Sequence, residues 1–205
     1  MNTNHPHRPQ GFTLVELLTT LSVLCILAVI ATPSFSQMRQ RAALRGAADN
    51  TLAFWQDARF EAIKRNRLVK VGVLANSDGS FCLGAATTDN PADATVCDCR
   101  SAAPTTNVCD VARFPADQSE WRGVSFTGAT LGGGTSSLQR PVVIEPMRTM
   151  LTEAGDAGTL SLASPTGPAA YELRLSVDRL GRGRLYESLD AADTLSDYTT
   201  RRCAE

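Results

Sequence analysis

The first third of the chain contains a long apolar run that one acidic residue interrupts. Glu16 lies near the start of this run, and the next charged residue is Arg39. About 22 uncharged residues lie between them, which as a helix would measure ~33 Å and could cross a bilayer core of about 30 Å. The pattern predicts a transmembrane helix over residues 12–35, but it leaves the carboxylate of Glu16 to be explained.

Three interpretations of the run compete. A secretory signal would be cut after Ala31, where the small-residue rule is met, but a carboxylate in its apolar core costs about 2–3 kcal/mol at mid-depth. In a plain membrane anchor, Glu16 would lie at the membrane interface and have no role of its own. In the third, cleavage between Gly11 and Phe12 exposes an α-amine four residues before Glu16, and the ammonium and carboxylate neutralise each other within one chain or between neighbours.

The polar and apolar positions that follow predict an amphipathic helix over residues 36–67. Its apolar residues recur at spacings of three and four, as on one face of a helix. Lys64, Arg65 and Arg67 suit the negative end of the helix dipole near Asn66. The apolar positions of this face are Leu44, Ala48, Leu52, Trp55, Ala58 and Ala62.

Residues 68–205 have the pattern of a β-rich head. Short apolar or alternating runs are separated by clusters of Gly, Pro, Ser and Thr. Residues 86–120 lack apolar periodicity, hold three cysteines and are expected to form a long surface loop stapled by disulfides. We therefore predict an α+β fold in which the long N-terminal helix packs on a mostly antiparallel sheet. The predicted strands are 68–75, 80–85, 123–130, 142–145, 159–163 and 171–177.

The cysteines indicate an oxidising compartment. Besides Cys25 in the apolar run, five cysteines lie downstream, and several of them fall in the loop-rich region. A zinc site would need four closely spaced ligands, and one residue between Cys97 and Cys99 fits zinc poorly. Disulfides are therefore favoured, and the odd number leaves at least one thiol free or paired between chains. The disulfide candidates are Cys82, Cys97, Cys99, Cys109 and Cys203.

The N-terminal residues GFTLVE resemble the processing motif of type IV prepilins and type II secretion pseudopilins. The resemblance implies that a prepilin peptidase removes a leader, residues 1–11, by cutting between Gly11 and Phe12. It also implies N-methylation of Phe12 by the same processing system and pairing of Glu16 with a neighbouring subunit's amine during assembly. The expected partners are other pilin or pseudopilin subunits, and the expected location is the inner membrane, single-pass, with the head in the periplasm.

The segment WQDARFEAIKRNR, residues 55–67, resembles minor pilins of the GspH/FimT type more closely. These proteins carry a similar block at the end of the long helix, matched here by eight of the residues from Ala58 to Asn66. The family often has a glycine after a Pro-x-Arg-like turn. Here the turn is Pro146-Met147-Arg148, and Thr149 takes the place of the glycine.

Catalysis has little support in the sequence. The two histidines, His5 and His7, lie in the predicted leader, so the processed chain would contain none. The three glycines at 132–134 do not join a strand to a helix and are interpreted as a flexible turn. We predict no enzymatic activity, no cofactor and no metal site.

Nucleic-acid binding is a further possibility, carried by the run DRLGRGR at residues 178–184. Its glycines would let the backbone approach phosphates, and Arg182 and Arg184 would each neutralise one, with Arg179 as a third contact. The run also resembles the G-R-x-R motif of FimT-type minor pilins, which bind double-stranded DNA during transformation. The competing interpretation is a tight hairpin turn with solvated arginines. Residues 171–205 carry six Lys/Arg against seven acids, so DNA binding would need folding to bring in Lys70, Arg201 or Arg202.

The favoured function is an assembly subunit that joins or primes a type IV pilus, with its head at or near the filament tip. A type II secretion pseudopilus is the first alternative, since its tip subunits share the same predicted fold. A membrane-tethered binding domain that never polymerises is the second.

Overall fold

The structure is a computed structural model that describes residues 12–76, 80–100, 106–115, 123–133, 140–164 and 171–187, except for the side chains of 30–34 and 154. The predicted leader, Cys203, Arg201 and Arg202 lie outside the described residues. The chain divides into two compact units, Met1–Arg39 and Gln40–Glu205. The helix α1 (Leu14–Arg65) contributes to both.

The helix α1 ends where the sequence predicts, and its end has a defined cap. Asn66 adopts a left-handed conformation with φ 50°. The N–H of Asn66 donates to the carbonyl of Ile63 at 3.1 Å, and the N–H of Arg67 donates to that of Ala62 at 3.3 Å. This pair of bonds is a Schellman motif, which satisfies carbonyls that the helix leaves unpaired. Lys64 and Arg65 stand in the last turn, as the dipole favours.

The head contains two four-stranded antiparallel sheets. Along the first sheet the strand order is β3-β2-β1-β5, and along the second it is β4-β6-β7-β8. All three pairings within each sheet are antiparallel. The strands are β1 (Leu68–Ala75), β2 (Phe81–Thr88), β3 (Ala112–Phe114), β4 (Ser125–Ala129), β5 (Val142–Ile144), β6 (Gly158–Ala163), β7 (Glu172–Val177) and β8 (Gly183–Glu187).

These elements confirm the predicted α+β fold, with α1 on antiparallel sheets. In the Gln40–Glu205 unit, the predicted apolar face of α1 supplies Leu44, Ala48, Trp55, Ala58 and Ala62 to the core, and Leu52 packs against it partly buried. Both sheets contribute to the same core. Burying a large apolar side chain stabilises the fold by about 1.5–3 kcal/mol, so this shared core holds helix and sheets together.

The prediction of one long surface loop over residues 86–120 is wrong in three respects. Strand β2 continues to Thr88, and β3 adds a strand to the sheet edge. Residues 93–99, which we call the strap, lie against the first sheet instead of standing away from it. The strap's Cys97 and Cys99 are almost fully buried, at 1% and 3% exposure.

Contacts along β1 and β2 explain why the strap packs so closely. The Nζ of Lys70 donates to Asp93 at 2.9 Å, and a Cβ added to Gly72 would lie 2.6 Å from a methyl of Val96. A Cβ added to Gly84 would lie 2.5 Å from the sulfur of Cys97. The two glycines therefore make room for the strap. The packing of the strap was not predicted because it depends on small residues in the strands beneath it. The strap itself shows no apolar periodicity that would indicate burial.

Candidate functional site

The N-terminal motif forms the beginning of α1. The helix starts at Leu14, so Thr13 is its N-cap residue. The hydroxyl of Thr13 accepts a hydrogen bond from the N–H of Glu16 at 3.2 Å, and the Thr13 carbonyl accepts from the N–H of Leu17 at 3.2 Å. Thr13 and Glu16 thus have the spacing of a capping box. The sequence interpretation missed this local role, although the T-x-x-E spacing signals it.

The carboxylate of Glu16 is nevertheless free to act outside its own helix. Its side chain is exposed, and within the part of the chain that the structure describes it makes no hydrogen bond or ion pair. Phe12, the predicted new N-terminus, is 86% exposed, whereas Gly11 lies outside the described residues. The predicted α-amine therefore lies four residues before an exposed carboxylate.

The apolar residues around Glu16 are exposed on every side of α1. Leu14, Val15, Leu17, Leu18, Leu21, Val23, Leu24, Ile26 and Leu27 are each more than half exposed. A helix that is apolar all round is stable only among lipids or other helices. Among the described residues, no helix has the length and apolarity required to cross a membrane. The predicted span over 12–35 includes 30–34, whose side chains lie outside the description, and it stays a prediction.

The run at residues 178–184 forms the turn between β7 and β8. The N–H of Arg182 donates to Asp178 Oδ1 at 2.9 Å, and its Nε donates to Oδ2 at 2.7 Å. Partial burial acts to raise the pKa of Asp178, but these bonds from Arg182 outweigh it and hold that pKa below its usual value. The bonds from Arg182 to Asp178 therefore close the turn, which agrees with the interpretation of this run as a tight hairpin turn.

The glycines of this run are explained by packing within the head, without reference to a phosphate chain. Gly181 has φ +69°, and a Cβ there would lie 2.4 Å from the carbonyl oxygen of Thr149. A Cβ on Gly183 would lie 2.8 Å from a methyl of Leu52 on α1. Both glycines face the protein, so the space beside them is already filled.

The arginines themselves point to solvent. Arg179, Arg182 and Arg184 are all exposed. Of the three, Arg182 has an ion pair, with Asp178 at 2.7 Å, while the guanidinium groups of Arg179 and Arg184 have none among the described residues. Lys70 is not available to join them, because its ammonium is buried against Asp93.

The turn at residues 178–184 is held in place by three residues that were not predicted to belong to this site: Trp55, Arg59 and Thr149. The indole of Trp55 donates to the carbonyl of Gly181 at 2.8 Å, and the guanidinium of Arg59 donates to the hydroxyl of Thr149 at 3.0 Å. Thr149 has φ 54°, a conformation that a β-branched residue rarely adopts. The family's usual glycine at this position was the signal for a left-handed residue, and here Thr149 takes the same conformation.

The four cysteines of the head that the structure describes form two disulfides. Cys82 pairs with Cys99, and Cys97 pairs with Cys109. Cys203 lies outside the described residues, and Cys25 is a free, exposed thiol in the apolar part of α1. The disulfides thus fasten the C-terminal end of the strap, while the ion pair between Lys70 and Asp93 holds its first residue.

Comparison with known proteins gives one match. Residues 6–32 match the family model for the prokaryotic N-terminal methylation motif. No curated protein and no solved structure matches the chain. The matched segment contains Gly11, Phe12, Glu16 and the first part of α1, and later residues of the same helix pack on the antiparallel sheets. The motif and the fold together support a type IV pilin-like protein, a structural subunit that prepilin peptidase processes and that assembles with other pilins.

Proposed function

We propose that this chain is a minor pilin of the GspH/FimT type that joins or primes a type IV pilus. In this proposal the peptidase cuts after Gly11, Phe12 becomes the methylated terminus, and the apolar run anchors the subunit in the inner membrane with its head in the periplasm. The observation that carries the proposal is the exposed carboxylate of Glu16, four residues after Phe12 and within the matched motif.

The physical reason is the cost of an unpaired charge in lipid. A carboxylate at mid-depth costs about 2–3 kcal/mol, and an ammonium group beside it removes much of that penalty. Cleavage creates such an ammonium group. A subunit whose Glu16 meets the amine of a neighbour is therefore stabilised at one insertion depth, which sets its axial position among the other helices.

The test must separate the charge of Glu16 from its place in the capping box. Glu16→Gln removes the charge and keeps a side chain that suits the capping box. Thr13→Val removes the cap and keeps the charge. Asp49→Asn removes an exposed acid elsewhere on α1 and is the control. Each variant is expressed in a strain lacking the native subunit, and sheared filaments and membranes are probed by immunoblot.

We expect Glu16→Gln to be processed and retained in the membrane but missing from filaments, while Asp49→Asn enters them normally. N-terminal mass analysis should find methylated Phe12 in all three variants. Incorporation of Glu16→Gln at the native level, or a mature chain beginning at Met1 or Thr32, would falsify the proposal. Recovery of the subunit with secretion pseudopilins and not with pili would favour the type II secretion alternative.

We further propose that the head captures double-stranded DNA through the turn at residues 178–184. Arg179 and Arg184 support this, because both are exposed, neither has an ion pair with a described residue, and arginine binds phosphate through two parallel hydrogen bonds. Binding of this kind is weak, salt-sensitive and indifferent to sequence. Mobility-shift assays on the detergent-solubilised full chain should show weaker retention for Arg179→Ala/Arg184→Ala than for Arg100→Ala. Equal retention at low salt would count against these arginines.

A further inference from the structure

Two turns of the head form one surface, which we call the double turn: residues 146–149 and residues 178–184. The N–H of Leu151 donates to the carbonyl of Arg179 at 3.1 Å. The carbonyl oxygen of Thr149 comes so close to Gly181 that a Cβ there would lie 2.4 Å from it. From α1, Trp55 and Arg59 bind one turn each. The two turns therefore keep a fixed spacing.

The double turn exposes an unusual set of side chains. Met147 is 86% exposed and Leu180 is 45% exposed, so each turn has an apolar residue in solvent. Arg148 is exposed on the first turn, next to Thr149, and Arg179 and Arg184 are exposed on the second. The nearest acid of the second turn, Asp178, is already paired with Arg182. The surface thus combines an excess of positive charge with two separate apolar projections.

We propose that Arg148 and Met147, on the turn outside the arginine motif, are further DNA contacts that act with Arg179, Arg184 and Leu180. This inference rests on the proposed capture of DNA. The arginines contact phosphates on either side of a minor groove, and Met147 and Leu180 face into it. Apolar side chains of this size are common wedges between base steps in minor-groove binders, usually with arginines beside them.

The chemistry of the surface favours DNA over a lipid surface. Every cation on the double turn is an arginine, whose planar group matches a phosphate with two hydrogen bonds, whereas lysine acts as a point charge. Interfacial membrane binding relies on a broad apolar helix face, and here two single residues project from two turns. The minor groove of DNA, about 6 Å wide, suits such narrow projections.

The two kinds of contact predict different salt dependence, which gives the test. Binding of a fluorescein-labelled 30-base-pair duplex to the detergent-solubilised full chain is followed by anisotropy between 25 and 200 mM NaCl, a range chosen to resolve the salt slope. Arg148→Ala should weaken binding about fivefold to tenfold and lower the salt slope by roughly one. Met147→Ala should weaken it about threefold with an unchanged slope, since no counterion is involved. Arg100→Ala is the control, because it removes the same charge from an exposed residue elsewhere on the head. Arg100 donates to the carbonyl of Ala75 at the end of β1, whereas the start of β1 pairs with β5, which leads into the first turn.

Each outcome bears on a different proposal. If Arg184→Ala weakens binding while Arg148→Ala behaves like Arg100→Ala, DNA capture stands and the double turn is overturned. If the native chain does not bind DNA but enters filaments, the pilin function stands and both DNA proposals fail. A parallel measurement uses neutral vesicles and vesicles with 30% phosphatidylglycerol, a content chosen for strong anionic charge. Binding to the anionic vesicles alone, lost in Arg148→Ala, with none to DNA, would identify a membrane surface and overturn the inference.

Discussion

The indole Nε1 of Trp55 donates a hydrogen bond of 2.8 Å to the carbonyl oxygen of Gly181, a residue 126 positions later in the chain. Both residues are buried, at the place where α1 crosses the β7–β8 turn. A buried hydrogen bond of this kind fixes orientation, because either partner left alone is penalised. The position of the arginine turn thus depends on a helix residue far from it in sequence.

Replacing Trp55 by phenylalanine should therefore destabilise the head. Trp55→Phe keeps an aromatic ring but removes the N–H donor, leaving the Gly181 carbonyl unpaired at a cost of about 1–3 kcal/mol. Thermal unfolding followed by near-ultraviolet circular dichroism would measure the loss. Phe60→Leu, at a residue that is 63% exposed on the same helix, should change the stability by less than about 0.5 kcal/mol. Similar melting shifts for both variants would contradict this role of Trp55.

Alanine at two glycines should have opposite effects. Gly181→Ala forces a side chain onto a residue at φ +69° and against the Thr149 carbonyl, so we expect a loss of about 2 kcal/mol or more. Gly46 lies inside α1 with nothing within 4 Å of an added Cβ. Gly46→Ala should therefore stabilise the chain by about 0.5–1 kcal/mol. Chemical denaturation of both variants would check the signs, and a neutral Gly181→Ala would show that the turn is not held as described.

The ion pair beneath the strap should make the head sensitive to acid. Burial acts to raise the pKa of Asp93, but hydrogen bonds from Lys70, Thr95 and Thr88 outweigh it and hold that pKa well below its usual value. Since the folded pKa is the lower one, ionised Asp93 stabilises the fold above pH ~4, and this stabilisation is lost as the pH falls through the folded pKa.

Asp93→Asn should therefore cost about 2–3 kcal/mol at neutral pH, because the Lys70 ammonium stays buried without a counter-charge. The difference from the native chain should shrink as the pH falls below about 4. Unfolding free energies measured from pH 7 to pH 2.5, a range chosen to include the onset of that loss, would test this. Parallel pH curves for the two proteins would exclude the proposed linkage.

Removing one disulfide should loosen the strap without breaking α1. Cys97→Ala/Cys109→Ala opens a loop with a sequence separation of 12, and closing a loop of that size contributes about 3 kcal/mol. The matched control is Cys25→Ala, which removes a free thiol outside the Gln40–Glu205 unit. Protease resistance of residues 93–99 under oxidising conditions is the measurement. Equal resistance in the double variant and the control would mean that packing alone holds the strap.

The sequence was most informative where one periodicity governs a whole element. The stripe through Leu44, Ala48 and Trp55 predicted the buried face of α1, and the alternation at Val69, Val71 and Val73 predicted β1 with its bounds. One face of α1 is buried, and the three valines of β1 face the core while the strap covers Lys70 and Gly72 on the other side. The alternation that the core imposes therefore agrees with the local pattern.

Elements decided by distant contacts could not be predicted in this way. Strand β8 was missed because Gly183 and Arg184 have the composition of a turn, and Gly183 is required by the approach of Leu52. The same holds for Arg182, whose motif suggested a phosphate contact but whose nearest partner is Asp178. For Glu16, the sequence showed its position in the motif. That its backbone N–H donates to the hydroxyl of Thr13 became clear only from the geometry of the helix start.

The strap covers one face of the first sheet and is held there by two disulfides. Residues 93–99 follow β1 from Lys70 past Gly72, and Arg100 reaches the carbonyl of Ala75. An antibody raised against that side of the native head would therefore recognise a conformational epitope made of the strap. Recognition should disappear on reduction, so the same reagent would report whether the two disulfides of the strap are formed.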